Sequence, residues 1–262
     1  PLQLRRPPLR SRRAAPVFSP DGARLAYVAR RGGKWGVVLD GQLGLACDGI
    51  GVRSPVFSPD GRRLAYAAQL GERWACVLDG VPSAHFDAVA GLLFSPDSRR
   101  FACAASRGGK DFIVLDGREG PVWDSVDPDW ISFSPDGTRL AWRARRGKTW
   151  SLVVDGQPGP AYDLIGSGYV FSPDGRRIAF TAASAGKQFV VLDGKPQPPC
   201  DEIGRAPRFS PDSRRVAWVE RRGQAAVVVF DGQPGPEFAV VVRHGPSFDA
   251  QGTLEYLAVD KG

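Results

Sequence analysis

The 262-residue sequence predicts an all-β chain of repeated four-stranded antiparallel sheets. Three observations lead there. One phrase recurs six times: VFSPDGARLAY from Val17, VFSPDGRRLAY from Val56, LFSPDSRRFAC from Leu93, SFSPDGTRLAW from Ser132, VFSPDGRRIAF from Val170 and RFSPDSRRVAW from Arg208, with a worn copy, SFDAQGTLEYL, from Ser247. The motif phenylalanines (Phe18, Phe57, Phe94, Phe133, Phe171, Phe209 and Phe248) are spaced 39, 37, 39, 38, 38 and 39 residues apart. Within each period, short β-type runs alternate with Gly and Pro turn signals. A period near 40 with four short strands per unit is the mark of a β-propeller.

The elements follow in order from the copy around Val170. YVFS is the first strand. PDG turns the chain: Pro fixes φ, Asp caps the turn and Gly takes the left-handed conformation. RRIAFTA alternates as a second strand, SAGK is a loop, and QFVVLDG is a third strand ending in an Asp-Gly hairpin turn. CDEIG, at Cys200 to Gly204, is expected to be the outer strand and the path to the next repeat. The small second-strand alanines (Ala26, Ala65, Ala102, Ala141, Ala179 and Ala217) leave room for aromatic side chains of a neighbouring sheet. No single sheet can bury both its faces, so stability must come from its neighbours.

Six copies are complete, with blades starting near residues 17, 56, 93, 132, 170 and 208, and the seventh ends after its second strand. Read backwards from Phe18, PPLRSRRAAPVFSPDG matches GPAYDLIGSGYVFSPDG with one gap, and PLQL stands where VVLD stands elsewhere. The expectation is therefore a single domain, a seven-bladed propeller whose closing blade joins residues 247–262 to residues 1–13. A six-bladed ring with a terminal hairpin is the alternative, and it leaves exposed strand edges.

FSPDG…LAY…VVLDG resembles the Pro-Asp repeat of TolB-type propellers, a WD-repeat-like group of bacterial proteins, from about Val17 to Asp260. The resemblance implies the propeller fold. It implies several roles: protein-binding scaffolds of the cell envelope, extra domains on sensors and kinases, or the gating domain of prolyl-oligopeptidase-type enzymes. The fold does not choose among them.

Composition narrows the field. No apolar run approaches the ~18 residues of a membrane helix. No targeting signal is visible; the chain begins at Pro1 and has no Met, so a mature form or an excised domain is expected, with the compartment, envelope or cytoplasm, left open. The formal net charge is +7, carried by 29 Arg and 6 Lys against 28 acidic residues, which favours anionic partners. The four Cys lack zinc spacing, and Cys47 and Cys200 replace the aromatics Phe86, Trp123 and Tyr162 at one repeat position, so they read as core. No cofactor and no metal is expected.

Catalytic signals are few. The two histidines, His85 and His244, fall in different repeats, and there is no G-x-S-x-G elbow. The repeated serine (Ser19, Ser58, Ser95, Ser134, Ser172 and Ser210) precedes Pro in a tight turn and is expected to hydrogen-bond that turn. Asp residues form three series. Turn chemistry explains Asp21 and Asp40 and their equivalents. The third series, Asp48, Asp87, Asp124, Asp163 and Asp201, is expected to pair with basic loops; Ala239 breaks it. WDSVDPDW, Trp123 to Trp130, gathers three Asp but lacks the Gly and Glu of an EF-hand loop.

The loops between second and third strands supply a basic face: Arg30, Arg31, Lys34, Arg73, Arg107, Lys110, Arg145, Arg146, Lys148, Lys187, Arg221 and Arg222, with Arg143 nearby. The opposite face carries Arg pairs that read as a solvated edge. The main expectation is a monomeric, non-enzymatic scaffold whose loop face and channel mouth hold a protein or peptide, acidic in character. Nucleic acid is disfavoured because no recognised module or stacking platform is present. The alternatives are a small-ligand or enzymatic site at the channel mouth, and a chain designed or selected for its repeats with no evolved ligand.

Overall fold

The computed structural model describes residues 15–242 and 245–260, and all its regular elements are β-strands. The chain divides into two compact units: the described residues up to Phe133 with Leu140–Gly147, and Ser134–Arg139 with the described residues from Lys148 onward.

The first unit begins with the sheet Val17–Phe18, Leu25–Arg31, Lys34–Leu39 and Gln42–Leu43, paired in that order. In the next sheet Gly49–Ile50 and Val56–Phe57 both pair with Leu64–Leu70, followed by Arg73–Leu78 and Val81–Pro82. The third sheet is Ala88–Phe94, Phe101–Arg107, Lys110–Leu115 and Arg118–Glu119. The unit closes on the antiparallel pair Ser125–Phe133 and Leu140–Arg146.

The second unit contains the pair Thr149–Val154 and Gln157–Pro158, then the sheet Leu164–Phe171, Ile178–Ser184, Lys187–Leu192 and Lys195–Pro196. In its next sheet Glu202–Ile203 and Arg208–Phe209 share the partner Val216–Arg222, followed by Ala225–Phe230 and Gln233–Phe238. Last come two short pairs, Val240–Val241 with Ala258–Val259 and Ser247–Phe248 with Leu254–Glu255. This is the worn repeat, with first and second strands only. Residues 1–13, expected to complete it, lie outside the described residues.

Local chemistry explains the elements. The third strand turns back through Asp-Gly, with φ of 51° at Asp40 and 85° at Gly41 and the same pair of signs in every complete copy. Two positive φ values make the two-residue turn whose twist matches a hairpin. The inner strand is split where Pro precedes the motif, as at Pro55, Pro207 and Pro246, because Pro has no N–H for the ladder.

One expected element is corrected. The outer strand is the residue pair just after the Asp-Gly turn, such as Lys195–Pro196, plus an isolated bridge, Gln188 to Cys200. Only Cys200 of CDEIG belongs to the outer strand, and the rest is the expected path to the next repeat. Cys200 exchanges both backbone bonds with Gln188, then the Asp201 N–H donates to the Arg221 carbonyl (3.1 Å), and Glu202–Ile203 already belongs to the next sheet. The chain changes sheets at the third-series Asp.

The core lies between successive sheets, as the small alanines predict. All six second-strand alanines are fully buried. One cluster in the first unit brings Ala65, Trp74, Cys76 and Phe86 against Val89, Phe94, Cys103 and Phe112 of the following sheet. Complete burial of a side chain such as Phe86 contributes about 1.5–3 kcal/mol.

Candidate functional site

Because the chain changes sheets at the third-series Asp, that carboxylate sits between two repeats. One oxygen of Asp48 accepts from Lys34 Nζ (2.5 Å), and the other accepts the Gly71 N–H from the loop of the following repeat (2.9 Å). Asp124 does the same with Lys110 (2.5 Å) and Gly147 (2.6 Å), and Asp201 with Lys187 (2.6 Å) and Gly223 (2.7 Å). Asp87 joins Arg73 to the Gly108 N–H (2.7 Å). In each case the cation lies fourteen residues before the Asp. At Asp163 that position is Thr149, and the carboxylate accepts the Ala185 N–H (2.9 Å).

Each such carboxylate is a clasp between neighbouring repeats. The Lys34 ammonium and the Gly71 amide hold Asp48 below the ordinary carboxylate value of 3.8; Lys110 and Gly147 do so for Asp124, and Gly223 and Lys187 for Asp201.

Six of the twelve cations of the predicted basic face pair with carboxylates of the protein itself. Lys34, Arg73, Lys110 and Lys187 belong to clasps. Arg107 forms a bidentate pair with Glu119 (2.8 and 2.9 Å) and lies over Phe86 and Phe112. Arg222 pairs with buried Glu220, which also accepts from the Trp218 indole (3.1 Å).

Three more arginines turn toward the protein. Arg30 donates to the Gly33 carbonyl and lies over Trp35, Arg145 donates to the Gly147 carbonyl (2.8 Å), and Arg146 lies 4.6 Å over the Trp123 ring. Arg31, Lys148 and Arg221 are exposed and pair with no carboxylate among the described residues. The aromatics that follow these loops are packed: Trp74 and Phe112 are buried.

The opposite rim overturns its expected role as a solvated edge. The Arg at the start of the second strand is a clamp in five copies: Arg24, Arg63, Arg100, Arg139 and Arg177. Arg24 donates to Asp40 Oδ2 (2.9 Å) and to the Arg62 carbonyl of the next repeat (2.8 Å), and its guanidinium lies 5.8 Å over Phe57. Arg63 covers Phe94 and Arg100 covers Phe133 within the first unit; Arg139 covers Phe171 and Arg177 covers Phe209 within the second. The first Arg of each pair is left to solvent, and so is Arg215, the second Arg of the last pair. The signal was in the sequence: in six copies this Arg stands sixteen residues before the Asp of the Asp-Gly turn. It was missed because Asp-Arg adjacency suggested local pairing.

The remaining candidates resolve into structure. Ser58 donates to Asp60 Oδ1 (2.5 Å) and accepts the Arg63 N–H (2.9 Å), and its equivalents repeat this, so these hydroxyls hold turns, as predicted. The aspartates of WDSVDPDW part company: Asp124 is a clasp, Asp127 pairs with Arg143, and Asp129 pairs with Arg53. Among the described residues no group of three or more His, Cys, Asp or Glu is placed to hold a metal ion.

His85 is exposed; His244 lies outside the described residues. All four Cys are buried and free. Burial pushes the Cys200 thiol up to about 11, so it is a packing group and a poor nucleophile at neutral pH. Asp111 and Gln188 take the position held by Trp35 and Trp74, and each accepts the N–H of an equivalent inner-strand residue: Val126 (3.0 Å) and Ile203 (2.9 Å). Burial raises the Asp111 carboxyl.

No family model and no curated protein matches the chain. Solved structures that it resembles include TolB from Acinetobacter baumannii (21% identity over 82% of this chain and 64% of that one, TM-score 0.38). Hydrazine synthase of Kuenenia stuttgartiensis is similar at 16% identity over 82% of this chain and 76% of that one (TM-score 0.37). The β-propeller domain of the Trilobed protease from Pyrococcus furiosus is similar at 15% identity over 95% and 89% (TM-score 0.42). The chain thus spans less than two thirds of the length of that TolB.

Proposed function

We propose that the chain is a non-enzymatic scaffold that binds an acidic protein or peptide segment, built as a monomeric seven-bladed ring in which residues 1–13 complete the blade begun at residues 247–262. The observation that supports the binding reading is the division among the loop cations. Six are committed to carboxylates of the protein itself, whereas Arg31 and Arg221 at strand ends and Lys148 in a turn are exposed and have none among the described residues. Spare cations favour encounter with an acidic segment. The serines tied into turns and the thiols locked in the core argue against nucleophilic catalysis.

The test is fluorescence anisotropy with a labelled hexaglutamate peptide. The triple variant Arg31→Glu, Lys148→Glu, Arg221→Glu loses binding at unchanged melting temperature, while Lys34→Glu lowers the melting temperature. A wild-type chain that ignores the peptide, or a triple variant that binds it equally, rejects the reading. Ring closure is tested by deleting residues 1–12. Poor solubility is expected; a fully stable monomer would favour six blades.

A further inference from the structure

The second unit contains a cleft of about 250 Å³ between its last full sheet and the terminal strand pairs. Trp218 and Val219 of the strand Val216–Arg222 form one side, and Val241 and Pro246 the other. The connection 204–208 brings Arg205 and Arg208 to the same cleft. Both arginines are exposed, and neither pairs with a carboxylate among the described residues. Arg208 is also out of place in the repeat. The residue before the motif Phe is Val17, Val56, Leu93, Ser132 and Val170 in the preceding copies, and Ser247 in the last. Only here is that position a cation.

An apolar cleft with two unneutralised guanidinium groups selects for an amphipathic anion. Its wall gains from covering carbon, and the guanidinium forks match a carboxylate. Size decides the class. The cleft, at about 250 Å³, falls below the ~300–1,000 Å³ of drug-sized sites, so it suits a ring with a short acid side chain. We propose that this cleft binds a small aryl- or alkyl-carboxylate, with the carboxylate held by Arg205 and Arg208 and the apolar part against the half-buried Val219 and Val241. The site uses none of the loop cations assigned to the acidic segment, so the two readings stand or fall separately.

The test is isothermal titration calorimetry of the full chain with 3-phenylpropionate, set against 3-phenylpropylamine and acetate. The propionate binds, the amine does not, and acetate is weaker for want of the ring. Arg208→Gln weakens propionate binding about tenfold or more, the worth of a charged hydrogen bond, at unchanged melting temperature. Ala206→Phe, which fills the cleft, abolishes binding in a folded chain. No heat with the propionate, equal binding of the amine, or full affinity in Arg208→Gln would overturn the proposal.

Discussion

Two junctions of the second unit, one at Asp201 and one at Ala239, follow the same backbone path with different side chains. At the first, the Asp201 N–H enters the next sheet on the Arg221 carbonyl, and its carboxylate ties Lys187 to Gly223. Arg177 spans the same junction to Phe209 (5.2 Å) and to the Arg214 carbonyl (2.9 Å). At the second, the Ala239 N–H makes the equivalent bond to the Val259 carbonyl (2.9 Å), but there is no carboxylate, and Ala225 stands where Lys187 stood. Arg215 stays over Phe230 of its own sheet, with its side chain 56% exposed against 28% for Arg177. Val240, Val242, Leu257 and Val259 are exposed. The ladder alone is enough to direct the chain from sheet to sheet. The side chains decide how firmly neighbours are coupled, as expected where each repeat touches only the next.

The largest effect should come from the packed side of this contrast. Trp218 is 2% exposed and packs with Val190, Val216, Val227 and Val229. Trp218→Ala should cost about 3–5 kcal/mol in urea unfolding. Phe248→Ala, in the terminal strands, should cost clearly less; equal losses would erase the distinction between the junctions.

Next come the clamps. Arg177→Ala removes an ion pair, a backbone bond and a ring contact, and should cost about 1–2 kcal/mol. Arg215→Ala should lower the melting temperature by less, because it crosses to no neighbour; a larger drop for Arg215 would refute the clamp.

Acid should make the two junctions alike. Asp48, Asp124 and Asp201 have lowered values in the fold. Their contribution is complete above the unfolded value of 3.8 and is lost as pH falls through the lowered folded values. Thermal melts should be flat from pH 7 to about 5 and fall below about 4, and Asp201→Ala should flatten that fall. The smallest effect is expected from Asp111→Asn, where an amide oxygen still accepts the Val126 N–H without burying a charge; its melting temperature at pH 7 should stay level or rise slightly.

The repeated sheets and their turns were legible in the sequence because local chemistry sets them. Asp-Gly demands the hairpin, and the recurring Ala demands close neighbours. The outer strand was misplaced because Cys200 and Glu202 are separated only by Asp201 yet pair with different sheets, a partition made by tertiary pairing and not by propensity. The clasps were half-legible: the Asp series was seen, but the cation fourteen residues back becomes a partner only once the outer strand returns beside the third. The arginine clamps were hidden because stacking on a Phe in the next repeat depends on how two sheets face each other.

Amide hydrogen exchange at pH 7, resolved by mass spectrometry, tests the central claim directly. If clasps and clamps couple the repeats, the amides of Val240–Val241 and Ala258–Val259 exchange well before those of Glu202–Ile203 and Val216–Arg222, and the difference shrinks in the paired variant Arg177→Ala, Asp201→Ala. Equal protection at both junctions in the wild type would show that the backbone ladder alone holds the repeats together.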